Sequence, residues 1–169
     1  KDLRAYHWRA AAFFAKGKYD EAIADFTEAI RLDPQSSYGY YWRGRAYFAT
    51  KRMEQADSDL TEAIRLDPTC IEAYFYRADL RYGTGEFDKA IADCTEVIKL
   101  DPKHLGAHYV RGSAFFAKSD YDKAIADYSD AIRLAAKDAN AKRALAYHAR
   151  GCAYEKKGQK TEAEADFAE

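Results

Sequence analysis

No run of apolar residues comes near the roughly 18 needed to cross a membrane, so a transmembrane helix is excluded. No segment sustains the in–out alternation of a strand, so no sheet is expected. Charge of one sign is not in excess: 27 Lys and Arg stand against 28 Asp and Glu, and a formal net charge of −1 argues against a nucleic-acid backbone as partner. Cysteine is sparse. Cys70, Cys94 and Cys152 lie far apart with no CxxC pair, which reads as reduced thiols in a reducing, cytoplasmic compartment. A glycine-rich phosphate loop is missing too, since Gly83–Thr84–Gly85 lacks the following Lys and the strand context of a nucleotide site. Methionine occurs once, at Met53, and the chain begins at Lys1. A fragment or processed form is therefore expected, and any signal or anchor ahead of Lys1 is invisible in this sequence. What is present, 48% hydrophobic and 33% charged residues, provides ample apolar surface for a folded, soluble chain.

The prolines are three, and they are evenly placed. Pro34, Pro68 and Pro102 stand 34 residues apart, and Asp25, Asp59, Asp93 and Asp127 keep the same interval. The phrase YDEAIADFTEAIRLDP from Tyr19 returns in altered form from Met53, Phe87 and Tyr121. A period of this length marks a stacked repeat. The repeats run 3–36, 37–70, 71–104 and 105–138, with a partial fifth over 144–169, all in one domain spanning 1–169. Each repeat reads as two helices. In the second, Ile23, Phe26, Ala29 and Ile30 form one apolar stripe, and Asp33–Pro34 ends it because the residue before a proline is pushed out of the α region. Ten helices are expected, roughly 3–16, 19–32, 37–50, 53–66, 71–84, 87–100, 105–118, 121–136, 140–157 and 160–169. Small residues recur where helices must touch: Ala10, Gly44, Ala78, Gly112 and Gly151 in the first helices, and Ala22, Ala56, Ala90, Ala124 and Ala163 in the second. Bulky residues fill neighbouring slots, among them Tyr6, Tyr40, Tyr74, His108 and Tyr147.

An acidic residue inside the apolar stripe needs a partner, and the repeat supplies one. Arg9, Arg43, Arg77, Arg111 and Arg150 each precede a small residue, and Asp25, Asp59, Asp93, Asp127 and Asp166 follow sixteen residues later. The constant spacing predicts Arg–Asp pairs that clamp the two helices, within a repeat or to its neighbour, in preference to a row of charges for ligands.

The 34-residue period, the small residue followed three later by an aromatic, the fixed alanine and the terminal Asp–Pro resemble the tetratricopeptide repeat over nearly the whole chain. The sequence departs from that pattern twice. Arg81 stands where the third repeat should carry its aromatic, with Tyr82 one residue late. The fourth repeat ends Ala135–Ala136 without Asp–Pro, so its last helix is expected to run on towards Lys137.

The resemblance implies an all-α, right-handed superhelical solenoid of antiparallel helix pairs, a scaffold that binds a peptide or protein segment on a concave face lined by first helices. Two rows share the relevant face: His7, Tyr41, Phe75, Tyr109 and His148, and Phe14, Phe48, Tyr82, Phe116 and Glu155. Ala11, Arg45, Asp79, Ser113 and Cys152 lie between them, with Arg4, Tyr38, Glu72, Gly106 and Leu145 at the edge. Either the rings form a peptide groove whose polarity is set by Arg45, Glu72 and Asp79, or they pack against adjacent helices. Some relatives hold a chaperone carboxylate with Lys and Asn, but those slots here carry His7, Ala11, Trp42 and Glu72, so that ligand is not expected. The chain's only Asn, Asn140, falls in the linker between repeats.

No enzyme activity, cofactor or metal is expected. His104 and His108 have a chelating spacing, but one falls at a turn and the other in a core slot. His148 and Cys152 share a helix face without an orienting third group or an oxyanion site. No nucleic acid or membrane partner is expected within this chain. The final helix stops soon after Phe167, so either further repeats or another domain, or a second copy, is expected to cover it, and a homo-oligomer through the terminal faces is the alternative to a peptide scaffold. A regulatory domain of a larger protein would carry the same features.

Overall fold

The computed structural model describes residues 2–135 and 140–169. These residues form ten helices: α1 (Leu3–Ala15), α2 (Tyr19–Leu32), α3 (Ser37–Ala49), α4 (Met53–Leu66), α5 (Ile71–Gly83), α6 (Phe87–Leu100), α7 (Leu105–Ala117), α8 (Tyr121–Leu134), α9 (Asn140–Lys156) and α10 (Lys160–Phe167). No strand occurs among the described residues. Two differences from the sequence expectation stand out. Helix α8 stops at Leu134, with Ala135 extended at φ −63 and ψ 120, so the missing Asp–Pro does not prolong it. Ala136 and Lys137 lie outside the described residues. Asn140 opens α9 and does not sit in a linker.

The second helices end in a common device. Asp33, Asp67 and Asp101 turn the chain, and each carboxylate accepts the backbone N–H two residues on, from Gln35, Thr69 and Lys103. This Asx turn holds the connection before the next first helix begins. First helices end in a left-handed residue: Gly17, Gly85 and Gly158, but Lys51 (φ 60) and Ser119 (φ 63) in the second and fourth repeats. A side chain there crowds the carbonyl that follows. Lys51→Gly is therefore expected to stabilise the chain by about 0.5–1 kcal/mol after the greater unfolded-state freedom of glycine is counted. Calorimetry should show a melting point raised by roughly 2 °C.

The chain divides within α5 into two compact bodies, residues 1–80 and 81–169. In the first, α1 packs on α2, α2 on α3 and α3 on α4. Its core has two centres. One joins Ala10, Ala22 and Phe26 to Phe13, Phe14 and Trp42; the other joins Leu60, Ala63, Ile64 and Ala73 to Tyr40, Tyr41, Tyr74 and Tyr76. In the second body α6 packs on α7, α7 on α8, α8 on α9 and α9 on α10, around Ala124, Tyr128 and Ala153. Every small slot named from the sequence is buried.

Candidate functional site

The Arg–Asp spacing becomes a set of two-pronged ion pairs within repeats. Arg9 Nε donates to Asp25 at 2.6 Å and Nη2 at 2.7 Å. Arg43 reaches Asp59 at 2.7 and 2.9 Å, Arg111 reaches Asp127 at 2.8 and 2.7 Å, and Arg150 reaches Asp166 at 2.8 and 2.7 Å. The fork suits a carboxylate because both N–H vectors run parallel. In the third repeat, Asp93 receives Arg81 Nη1 at 2.9 Å, so the residue that broke the aromatic pattern points at the buried acid.

A third tie was not foreseen. The Nη1 groups of Arg43, Arg77, Arg111 and Arg150 donate to Thr27, Thr61, Thr95 and Ser129, at 3.0, 2.9, 3.3 and 2.8 Å. Those hydroxyls belong to the preceding repeat, so Arg43, Arg111 and Arg150 each fasten their own helix pair and the pair before it. The signal was present: a hydroxyl residue follows Asp25, Asp59, Asp93 and Asp127 by two positions. The hydrogen bonds that Arg43 donates to Asp59 raise its pKa, so its charge is permanent.

The aromatic rows divide by what they touch. Phe14 meets Tyr19, Tyr82 meets Phe87 and Phe116 meets Tyr121, each ring packing on the first residue of the next helix. These three positions thus close their own helix pairs, and Phe14 also meets Trp42 of the next repeat. The row beginning at His7 is arranged differently. His7 lies edge-on to Tyr38 at 4.9 Å, and Tyr41 touches both Trp42 and Tyr76. Phe48 and Phe75 also reach Tyr76. In the second body Tyr109 faces Tyr128, and His148 faces Phe167.

At the centre of the first body's ring cluster is Arg45. Its guanidinium carbon lies 4.4 Å from the Trp42 ring centre and 4.6 Å from that of Tyr76, and Nη1 donates to Tyr41 Oη at 3.2 Å. Rings attract a cation through their negative faces. Burial pushes the Tyr41 hydroxyl up to about 12 against the opposing pull of Arg45, so it stays protonated at neutral pH. Trp42 and Tyr76 were not among the expected groove residues. They, with Trp8, recur every 34 residues, which was the available clue.

Beside this cluster lies a cleft of about 410 Å³ lined by Arg4, His7, Trp8, Ala11, Ser36 and Tyr38. His7 Nε2 is shielded there without a hydrogen-bond partner, as is Arg45 Nε in the cage. Burial lowers the His7 pKa, outweighing the opposing charge of Asp33, so the ring is neutral at pH 7.

Asp79 on α5 is half-buried, and burial alone raises its pKa. With a folded pKa above the unfolded one, the ionised carboxyl costs stability at neutral pH. That cost shrinks as pH falls through the folded value and is gone below the unfolded one. Asp79→Asn is expected to raise the melting point at pH 7 by roughly 2 °C, modest because water screens the exposed side of the group. Near pH 3, about a unit below the ordinary carboxyl range, the two chains should melt together.

The remaining polar candidates are placed as follows. His104 caps α7, its Nδ1 accepting from Ala107 N at 3.0 Å, so its ring is turned to its own helix. His108 is buried between Pro102 O at 3.2 Å and Asp127 Oδ1 at 3.4 Å, with Asp130 at 3.8 Å. Arg111 already sits on Asp127, which leaves an added cation little to gain. Cys152 Sγ and His148 Nε2 stand 3.8 Å apart. No helix among the described residues is long and apolar enough to cross a membrane.

Sequence-family models match the chain over residues 10–169. A TPR repeat model covers 10–51, and tetratricopeptide repeat models cover 37–70 and, in overlapping spans, 54–104, 75–139 and 109–169. Among curated proteins none matches. Similar solved structures include a crystal structure of MamA protein, 26% identical, with a TM-score of 0.89 over 98% of this chain and 88% of that one. A MamA chain from Desulfovibrio magneticus RS-1, running from residue 41 to its end, is 17% identical, with a TM-score of 0.90 over 98% of this chain and 91% of that one. The first TPR of Spaghetti (RPAP3), bound to the HSP90 peptide SRMEEVD, is 27% identical, with a TM-score of 0.68 over 69% of this chain and 93% of that one.

Proposed function

Because the chain belongs to the tetratricopeptide repeat family, we propose that it is a protein-interaction scaffold whose first helices hold a peptide segment of a partner protein against aromatic side chains. The cleft at His7 carries this reading. A ring nitrogen shielded from water and left without a partner is costly, and here His7 lines the cleft together with Tyr38 and an exposed Trp8. A peptide laid in the cleft would cover the two rings with its side chains, and a turn of the His7 ring towards the cleft would let its backbone pair with the nitrogen. Aromatic surfaces of this kind give large contact area at small entropy cost. The related RPAP3 domain is bound to a peptide, which supports the mode of binding. Binding and orientation, with no covalent step, are all that this reading asks of the residues.

A random nonapeptide library displayed on phage and panned on the purified chain tests the proposal. Selected peptides, labelled and titrated by fluorescence anisotropy, are expected to lose at least roughly tenfold in affinity with His7→Ala and Tyr38→Ala combined, since such anchors carry most of the binding energy. An unchanged helical spectrum would show that the fold is intact. No enrichment, or unaltered affinity in the variant, would overturn the reading.

Trp8 favours a second reading, self-assembly. It is 77% exposed, whereas Trp42 at the same register is packed against Phe14 and Phe26. A second copy seated on α1 would bury it. Sedimentation velocity should then show concentration-dependent association that Trp8→Ser removes. A monomer at every concentration would rule this reading out.

A further inference from the structure

The buried carboxylates of the second helices are held by arginines, but two acids on α5 are not. Among the described residues no cation or hydrogen-bond donor reaches Glu72 or Asp79. They are seven residues apart on one helix, so they share a face and stand about 10 Å apart along it. Phe75 and Tyr76 lie between them in the same helix. Glu72 is exposed and Asp79 half-buried. The corresponding residue one repeat earlier, Arg45, shows how this surface treats a cation: it is stacked between two rings and bonded to a tyrosine hydroxyl. On α5 the register carries an acid and no internal cation. Asp79 destabilises the folded chain where it stands, an arrangement that a ligand charge would reverse.

We propose that the α5 face recognises a peptide through two of the ligand's basic side chains, Lys or Arg, spaced about 10 Å apart. This rests on the peptide-binding reading above and names the charge of the ligand. In an extended ligand that distance separates residues i and i+3, at about 3.3 Å per residue; in a helical one, residues i and i+7. The stems of the basic residues would lie along Phe75 and Tyr76, with their heads on the carboxylates. Two acids this far apart cannot share one metal ion, so the spacing selects a ligand with two separate charges. The preference is opposite to that expected for an acidic tail, for which the Lys and Asn of a carboxylate clamp are absent.

The test uses a fluorescein-labelled nonapeptide with Lys at positions 4 and 7 between Phe and Leu residues, beside its Gln and Glu versions. On the native chain the Lys peptide should bind about 10- to 100-fold more tightly than the Gln peptide, roughly one decade per charge-assisted pair, with the Glu peptide weakest. In Glu72→Gln with Asp79→Asn, near-isosteric changes that leave the helix intact, the Lys and Gln peptides should bind alike and the Gln peptide should be unaffected. Equal affinity for Lys and Gln peptides on the native chain overturns the inference, as does a Lys preference that survives in the double variant. If the Gln peptide binds and Phe75→Ser abolishes it while no Lys preference exists, the groove stands and only the charge assignment falls. If none of the three peptides binds, the groove reading falls with it.

Discussion

Replacing Asp59 by leucine is expected to cost about 3–5 kcal/mol of folding free energy, and to lower the melting point by roughly 10 °C. The loss comes less from the missing carboxylate than from the cation left behind. The Arg43 side chain is only 17% exposed, and its Nε and Nη2 would lose both acceptors while Nη1 stays on Thr27. A guanidinium cannot shed its proton to escape. Arg43→Leu combined with Asp59→Tyr removes both charges and should cost about 1 kcal/mol or less, because the desolvation of a buried pair roughly cancels its attraction. Urea denaturation of the single and double variants gives the comparison. Equal damage from both would show that Arg43 and Asp59 are not energetic partners. The same change at Asp25 should be much milder, since Arg9 is 60% exposed and water can replace its lost acceptor.

That contrast marks what could be read from the residues and what required coordinates. The period places every helix within a residue or two, because small residues and Asp–Pro steps recur with the turn of the chain. The pairing of Arg43 with Asp59 was likewise legible, since a buried acid demands a cation and one recurs at fixed distance. The tie to Thr27 left only a recurring hydroxyl two positions after the Asp, and a hydroxyl on a helix does not report which guanidinium it meets. Arg81 read as a missing aromatic; only the geometry shows it directed at Asp93. Which neighbours each ring meets was not legible. Phe14 and Phe116 are met by Tyr19 and Tyr121 because the chain reverses just beyond them and lays the next helix over their edges. Trp42 and Tyr76 belong to the ring cluster around Arg45 because the slot two before the small residue meets rings of the preceding repeat, a direction that periodicity along one helix does not report.

Gly112→Val is expected to destabilise the chain by about 3 kcal/mol or more through overpacking. A Cβ at this position would lie 3.0 Å from Cδ1 and Cε1 of Tyr128 and 3.2 Å from Cβ of Asp127. Neither neighbour can give way easily. Tyr128 is buried, faces Tyr109, and reaches Ser113 Oγ through its hydroxyl at 3.2 Å; burial pushes that hydroxyl up to about 12, so it remains a donor. Asp127 is fixed by both prongs of Arg111. Gly112→Ala sets a helix-propensity gain of about 1 kcal/mol against the same crowding, and should come out near neutral. In the third repeat the registers of Gly112 and Tyr128 carry Ala78 and Cys94, a larger residue matched by a smaller one in the sequence, and each is buried. Tyr128→Cys alone should open a cavity costing about 3 kcal/mol, but in that background Gly112→Ala should become stabilising. A double-mutant cycle measures the difference as a coupling of about 1 kcal/mol. If the alanine has the same effect beside Tyr128 as beside the cysteine, contact across the helix pair is not what keeps residue 112 small.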